Sequence, residues 1–290
     1  MHTRCLCYNA RMIGLFLVLA STFFTETQDS IGKRTVSDGR QSIYTMGFLN
    51  LMWGFLFFLV IIFVRQSFVF SLASLPTFVP RLLLEIVLAH VAVLAITRAD
   101  RSTFSLIRIG TIPLLLFADI MLGYAIGMWA FIGLGVIILV LLFAFSNQTI
   151  GKKGIGLVAT TALLAAVTLS LYKYDITHFN SVEAEQSLII GALLVYFFLM
   201  ARFSANENPL RFLRQPVFLM QSLSAGLAEL LMSFAYLFGT AAVITAAKRA
   251  FAVLFGVISG QMYFKEKHLA AKLVISLFLI VGLVLLAVSH

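Results

Sequence analysis

Long apolar stretches, each of membrane-spanning length, recur through the whole of this 290-residue chain. A helix needs about 20 mostly apolar residues to cross the hydrocarbon core of a bilayer. Because the stretches are unbroken rather than alternating, they predict helices and not the strands of a β-barrel. The predicted spans are residues 10–28, 43–64, 79–97, 102–121, 125–146, 155–172, 187–203, 217–238, 241–263 and 269–289.

The composition excludes a soluble globular domain. Hydrophobic residues make up 61% of the chain and charged residues only 11%, whereas ordinary domains carry about 25% charged residues. We therefore predict an all-α integral membrane protein of about ten transmembrane helices, with the lipid bilayer as its surroundings. The net charge of +9 suits contact with anionic lipid and does not indicate nucleic-acid binding.

The first segment has two interpretations. Arg4 and Arg11 precede a short apolar run, which is also typical of a secretory signal peptide. We favour a retained first helix after a disordered tail at residues 1–9. Cys5 and Cys7 are the only cysteines, and their C-x-C spacing predicts neither a disulfide framework nor a metal site.

Short matches between the two halves of the chain indicate an internal repeat. Each half would hold five helices, at residues 10–147 and 148–290. Since an odd number of spans turns the second copy upside down, these would be inverted repeats, which place a substrate site near the membrane midplane. The matches are Gln41-Ser42-Ile43 with Gln186-Ser187-Leu188 as helix starts, Pro76 and Phe78 with Pro216 and Phe218, and Gly135 with Gly282.

Residues 240–286 resemble the end of an EamA domain, from the drug/metabolite transporter superfamily. A small-residue segment is followed by a helix that ends in an acid and by a helix with a glycine. Glu266 stands where the family has the glutamate of its LGE motif, sixteen residues before Gly282. The resemblance implies a ten-helix, two-repeat carrier of small metabolites or drugs.

Residues 95–123 look like the equivalent helix pair of the first half. There the LGE position reads Leu122-Gly123-Tyr124, so the acid is missing unless Asp119 substitutes for it. The resemblance implies that both termini of this chain lie in the cytoplasm, and we keep that orientation. The positive-inside rule predicts the opposite orientation. With both termini in the cytoplasm, eight basic residues would lie in outside loops. They are Lys33, Arg34, Arg40, Lys152, Lys153, Arg202, Arg211 and Arg214.

Glu229 is an acid in the middle of a predicted span. A charge at the bilayer centre costs about 2.5–3.5 kcal/mol on insertion scales, so such residues tend to face a bundle interior or a water-filled cavity. Helical spacing puts Ser233 and Tyr236 on or near the same face. We interpret this stripe as a coupling site that exchanges protons with substrate; the alternative is a structural acid paired within the bundle.

Glu85 is a second acid within a predicted span. Arg81 precedes it by one turn, at the spacing of an i,i+4 ion pair, and lies near a helix end where an arginine can snorkel to the interface. A functional and a structural role for Glu85 remain equally open.

Three basic residues also fall within predicted spans: Lys248 and Arg249 in the ninth, and Arg108 in the fourth. These spans occupy corresponding places in the two halves. Cations that face one cavity would suit a carboxylate or phosphate, because charge-assisted hydrogen bonds gain strength where water is scarce. The alternatives are internal counter-ions to Glu85, Glu229 or Asp119, and snorkelling.

We therefore expect a secondary transporter of small polar or anionic metabolites, driven by proton coupling or exchange, in a bacterial inner membrane. A multidrug exporter of the same fold and a non-transporting membrane scaffold are the alternatives. No G-x-S-x-G, H-E-x-x-H, C-x-x-C or phosphate-loop pattern occurs, so we expect no enzyme activity, cofactor or metal. A monomer is self-sufficient, and a homodimer is also compatible with the sequence.

Overall fold

The computed structural model describes residues 2–121, 127–146, 153–239, 241–264 and 269–288, and these contain helices and no strands. Each of the ten predicted spans overlaps helical structure. The α-helices are α1 (His2–Ser37), α2 (Ile43–Arg65), α3 (Leu75–Arg98), α4 (Arg101–Ile107), α5 (Thr111–Met121), α6 (Met128–Ser146), α7 (Ile155–His178), α8 (Val182–Ser204), α9 (Pro209–Phe212), α10 (Pro216–Ala235), α11 (Ala241–Phe264) and α12 (Leu269–Val288).

Among the described residues, six helices are long and apolar enough to cross a membrane, as in a multi-pass membrane protein. These six candidate spans are Ile43–Arg65, Leu72–Arg98, Ile155–His178, Val182–Ser204, Pro216–Phe238 and Val243–Tyr263. The residues that carry the family resemblance, Glu266 and Leu122-Gly123-Tyr124, lie outside the described residues, as does the side chain of Asp119.

The first helix is longer than its predicted span at both ends. It begins at His2, since no proline or glycine occurs between that residue and Ile13. It continues to Ser37 because buried polar side chains in its last third find partners inside the bundle. The hydroxyl of Ser259 donates to Glu26 at 2.5 Å, and the Lys33 ammonium donates to the carbonyl of Ala99 at 2.5 Å.

The predicted fourth span is not one helix. A 3-10 turn at Arg108–Gly110 separates α4 from α5. Pro113 follows this turn, and a proline lacks an N–H donor and crowds the carbonyl four residues before it, here that of Ile109. Arg108 therefore lies at a break in the helical backbone.

The predicted start of the seventh span, at Gln186-Ser187, is wrong. Helix α8 starts at Val182, and the Ser181 hydroxyl caps it by accepting a hydrogen bond from the backbone N–H of Ala184 at 3.2 Å. Two glutamates in the first turn made this segment look like a loop. A carboxylate is favoured there because it faces the positive end of the helix dipole.

Two ends of the bundle are defined by contacts between loops. At the first, which we name the Gln41 end, Ser42 at the start of α2 donates its hydroxyl to Glu207, beyond the end of α8, at 2.6 Å. At the second, the Glu185 end, Asn180 before α8 accepts from the backbone N–H of Ser71, before α3, at 2.9 Å. Helix α8 thus connects the two ends.

Helices from the first half of the chain pack mainly on helices from the second half. Helix α1 lies along α10 and α11, while α7 lies along α3 and α5; α2 packs on α8, and α6 on α12. At the crossing of α2 and α10, two glycines permit backbone contact. A Cβ atom added at Gly226 would lie only 2.7 Å from the backbone nitrogen of Gly54, so close approach requires glycine here.

Candidate functional site

A cavity of about 230 Å³ lies between α2, α3, α7, α8, α10, α11 and the turn at Arg108–Gly110. The structure brings all seven residues singled out from the sequence to its walls. They are Glu85, Arg108, Glu229, Ser233, Tyr236, Lys248 and Arg249.

Glu229 lies on the α10 wall, next to the glycine crossing. The hydroxyl of Ser233, one turn later, donates to its Oε1 atom at 3.3 Å. The methylene groups of Glu229 face Gly54 on α2, since a Cβ added at Gly54 would lie 3.6 Å from Glu229 Cβ. The close approach of α2 and α10 therefore holds this carboxylate at the cavity wall.

The cationic wall combines α11 with the broken helix. Lys248 has no hydrogen bond or ion pair to any residue that the structure describes. The charges of Arg249, Arg108, Glu229 and Asp29 lie close enough to act on it. Arg249 is buried and its Nε donates to the Thr111 hydroxyl at 3.4 Å. The 3-10 turn thus places Arg108 beside the two cations of α11.

Arg81 is a further cation of the cavity wall, and its predicted role needs correction. It lies 4.0 Å from Glu85, as an i,i+4 pair, but its Nη1 atom lies 2.5 Å from Oε1 of Glu185 on α8. Arg81 is only 2% exposed, so the interpretation that it snorkels to the interface is wrong. The Glu185 carboxylate satisfies Arg81 inside the bundle, and the guanidinium stacks over the Tyr172 ring at 4.5 Å.

Two tyrosines form the cavity wall towards the Glu185 end. Tyr172 and Tyr236 meet edge to face with ring centroids 5.6 Å apart. The Tyr172 hydroxyl donates to the Ser233 carbonyl at 3.1 Å, and the Tyr236 hydroxyl shares a hydrogen bond with Thr245 at 3.0 Å. These contacts connect α7, α10 and α11 around the cavity.

The sequence reasoning missed four polar residues of the wall: Thr168, Tyr172, Gln186 and Thr245. Thr168 is fully buried, and its hydroxyl has no hydrogen-bond partner among the described residues. Uncharged polar residues are common in membrane helices, so no sequence signal separated these four from the rest. Among the described residues, no group of three or more His, Cys, Asp or Glu could hold a metal ion.

The cavity has an excess of positive charge. Its described wall residues include four cations, Arg81, Arg108, Lys248 and Arg249, but only two carboxylates, Glu85 and Glu229. Even with the Glu185 carboxylate that pairs with Arg81, the cations exceed the carboxylates by one. A bound anion would lower the electrostatic energy of this arrangement, since like charges repel strongly where the effective dielectric constant is low.

Comparison with models of known protein families and with curated proteins finds no match. Function must therefore be inferred from the geometry and charge of the cavity.

Proposed function

We propose that this chain is a secondary transporter of small polar or anionic metabolites that works by alternating access. The observation that carries the proposal is the central cavity, where six ionisable residues with a cationic excess converge between otherwise apolar helices. An intramembrane ionisable residue is by default a functional-site candidate because its burial is costly.

The proposal includes two inverted five-helix repeats, at residues 10–147 and 148–290. Reciprocal packing supports it: if α1, α2 and α3 correspond to α7, α8 and α10, then the α1–α10 contact is equivalent to the α7–α3 contact. Ser42 and Ser181 cap equivalent helices, and Pro76 and Pro216 stand in equivalent first turns. We likewise propose that the chain is a divergent EamA-like member of the drug/metabolite transporter superfamily, in a bacterial inner membrane.

The charge of the cavity argues against a multidrug exporter. The excess positive charge of the wall would repel the lipophilic cations that such exporters carry. The volume of about 230 Å³ also lies below the roughly 300–1,000 Å³ of pockets that hold drug-sized ligands. A small anion therefore fits both the charge and the volume of the cavity better than a lipophilic cationic drug does.

Stability alone does not account for the cluster, which argues against a non-transporting scaffold. A buried ion pair often contributes less to stability than apolar side chains of similar volume. Lys248 and Glu229 have no ion-pair partner among the described residues, so they would only destabilise a scaffold. A binding role gives both residues a function.

In the proposed mechanism, Lys248, Arg249 and Arg108 hold the anionic group of the substrate, and Glu229 carries the coupled proton. A protonated Glu229 does not repel the anion, whereas an ionised Glu229 competes with it for Lys248. Substrate and proton would therefore load the cavity together. Because Ser233 can donate to the carboxylate, it would keep Glu229 oriented during this exchange.

The experiment that tests this proposal is a panel of current recordings on solid-supported membranes with reconstituted protein. Wild-type protein is expected to respond to one class of small polar or anionic compounds, such as amino acids, sugar phosphates or a nucleotide sugar, and not to a lipophilic cation. Glu229→Gln should abolish the proton-driven response while leaving exchange of substrate for substrate, because the amide cannot carry the proton. A response to the lipophilic cation alone would contradict the proposal.

A further inference from the structure

Helices in corresponding places of the proposed repeats contact each other at the two ends of the bundle. Helices α3 and α10 each begin with a proline in the first turn, and α2 and α8 each begin with a serine cap. Five residues after the proline stand Arg81 in α3 and Gln221 in α10. Each of these side chains reaches the beginning of the neighbouring serine-capped helix.

The contact that Gln221 makes at the Gln41 end is uncharged. The Gln41 amide, immediately before the cap of α2, donates to Oε1 of Gln221 at 3.0 Å, and the Gln221 amide donates to Asn50 at 2.9 Å. Gln221 is fully buried, but it does not line the cavity. This closure therefore consists of amide hydrogen bonds that lie outside the substrate space.

The contact at the Glu185 end is ionic. Arg81 lies 2.5 Å from Glu185 Oε1, while the Asn180 amide, immediately before the cap of α8, donates to Oε2 at 2.6 Å. Glu185 is fully buried. In contrast to Gln221, Arg81 lines the cavity, so the same guanidinium belongs both to the closure and to the substrate space.

We propose that these two contacts are the gates of the transporter and that the anionic substrate opens only the ionic one, by replacing Glu185 as the partner of Arg81. The inference rests on the proposed function. It adds to that function a gating role for Arg81 and Glu185. An anion could bind in the cavity without any such role.

Electrostatics explains why the two gates would differ. Opening the Glu185 end without substrate separates a buried arginine from its nearer carboxylate and leaves the buried Glu185 without its cation, which costs much more than separating two amides. An anion in the cavity gives Arg81 a new charged partner, so the cost falls when substrate is bound. The Gln41 end has no such dependence: Gln41, Gln221 and Asn50 are uncharged. The one carboxylate of that contact, Glu207, is held by Ser42 and Thr45 and does not line the cavity.

Access to the cavity from each end tests the inference. Ala89 lines the cavity and can be replaced with cysteine in a Cys5→Ser/Cys7→Ser background. Membrane vesicles of both orientations are treated with a membrane-impermeant maleimide. Reporter variants Leu72→Cys and Arg214→Cys, at exposed sites of the Glu185 end and the Gln41 end respectively, identify which end faces the reagent.

The decisive variant is Arg81→Gln with Glu185→Gln, which gives the Glu185 end the amide chemistry of the Gln41 end. Without substrate, labelling of Ala89→Cys from the Glu185 end is expected to rise about tenfold, since a charge-assisted contact has been removed. In Ala89→Cys protein that keeps Arg81 and Glu185, a transported anion should raise the labelling from the Glu185 end and not from the Gln41 end. Asn180→Ala removes one hydrogen-bond donor to Glu185 and should increase the labelling from the Glu185 end by a smaller factor. This variant replaces the double variant if the latter does not fold.

The outcomes separate the two proposals. Labelling of Ala89→Cys from both ends, with rates that neither gate variant nor anion changes, would overturn the gate inference and leave the transporter standing. Labelling from one end only under every condition, while both reporters react, would overturn the transporter itself.

Discussion

Replacing Lys248 with methionine is expected to weaken binding of the transported anion by about 10- to 100-fold. Hydrogen bonds to charged groups contribute about 1.5–3 kcal/mol, and each 1.4 kcal/mol corresponds to about tenfold in affinity. Lys248 has no competing hydrogen bond or ion pair among the described residues, so its ammonium is available to the substrate. Methionine keeps an unbranched side chain, one atom shorter than that of lysine, and removes the ammonium with its charge and its hydrogen-bond donors.

The affinity can be measured by calorimetry in detergent with the anion found by the current recordings. Arg202→Met is the matched control, because Arg202 is an exposed cation in the last turn of α8 and does not line the cavity. It should bind the anion as the wild type does. Equal affinities for wild type and Lys248→Met would remove Lys248 from the binding site.

Glu185→Ala is expected to cause the largest loss of stability, about 3–5 kcal/mol in the free energy of unfolding. Removing one partner of a buried ion pair leaves the other charge uncompensated, and losses of this size are typical of that change. Here the charge left behind is that of Arg81, which is 2% exposed. The amide of Asn180 loses an acceptor as well. Denaturant unfolding in mixed micelles measures the effect.

Two comparisons isolate the ion pair as the cause. Glu183→Ala removes another acid from the first turn of α8, but its cationic neighbour Arg65 is mostly exposed, so the loss should be about 1 kcal/mol or less. Arg81→Met with Glu185→Met should be more stable than Glu185→Ala, because the buried guanidinium is removed together with its nearer partner and only the weaker 4.0 Å contact with Glu85 is lost. A double variant as unstable as the single one would show that the ion pair is not the source of the effect.

The positions of the helices could be predicted because lipid imposes a simple requirement on composition. A long apolar run is visible without any knowledge of its neighbours. For the same reason, Glu229, Lys248, Arg249 and Arg108 stood out as charges in apolar surroundings. That all four side chains line one cavity depends on how the helices pack. The sequence of a single span does not show its packing partners.

The pairing of Arg81 with Glu185 could not be predicted from local spacing. The two residues are 104 positions apart, whereas Glu85 is one turn from Arg81 and was the obvious partner. The helical structure at the polar end of α1 could not be predicted for a similar reason. Its charged residues read as a loop because their partners, such as Ser259, lie on helices at the far end of the sequence.

The break at Arg108–Gly110 had a local signal that was overlooked. Gly110 and Pro113 interrupt the fourth span, and interrupted hydrophobic segments are pointers to a transport site. Gly54 and Gly226, in contrast, become meaningful only as a pair. Their close approach exists only where α2 crosses α10.

The measurement that tests the central claim most directly is counterflow in proteoliposomes. Vesicles loaded with an unlabelled small anion from the responding class are diluted into a trace of the same anion carrying a radioactive label. We expect saturable accumulation of the label without any ion gradient, and its loss in Lys248→Met but not in Arg202→Met. Folded protein that exchanges no small anion, or that exchanges it equally well without Lys248, would contradict an anion carrier built on this cavity.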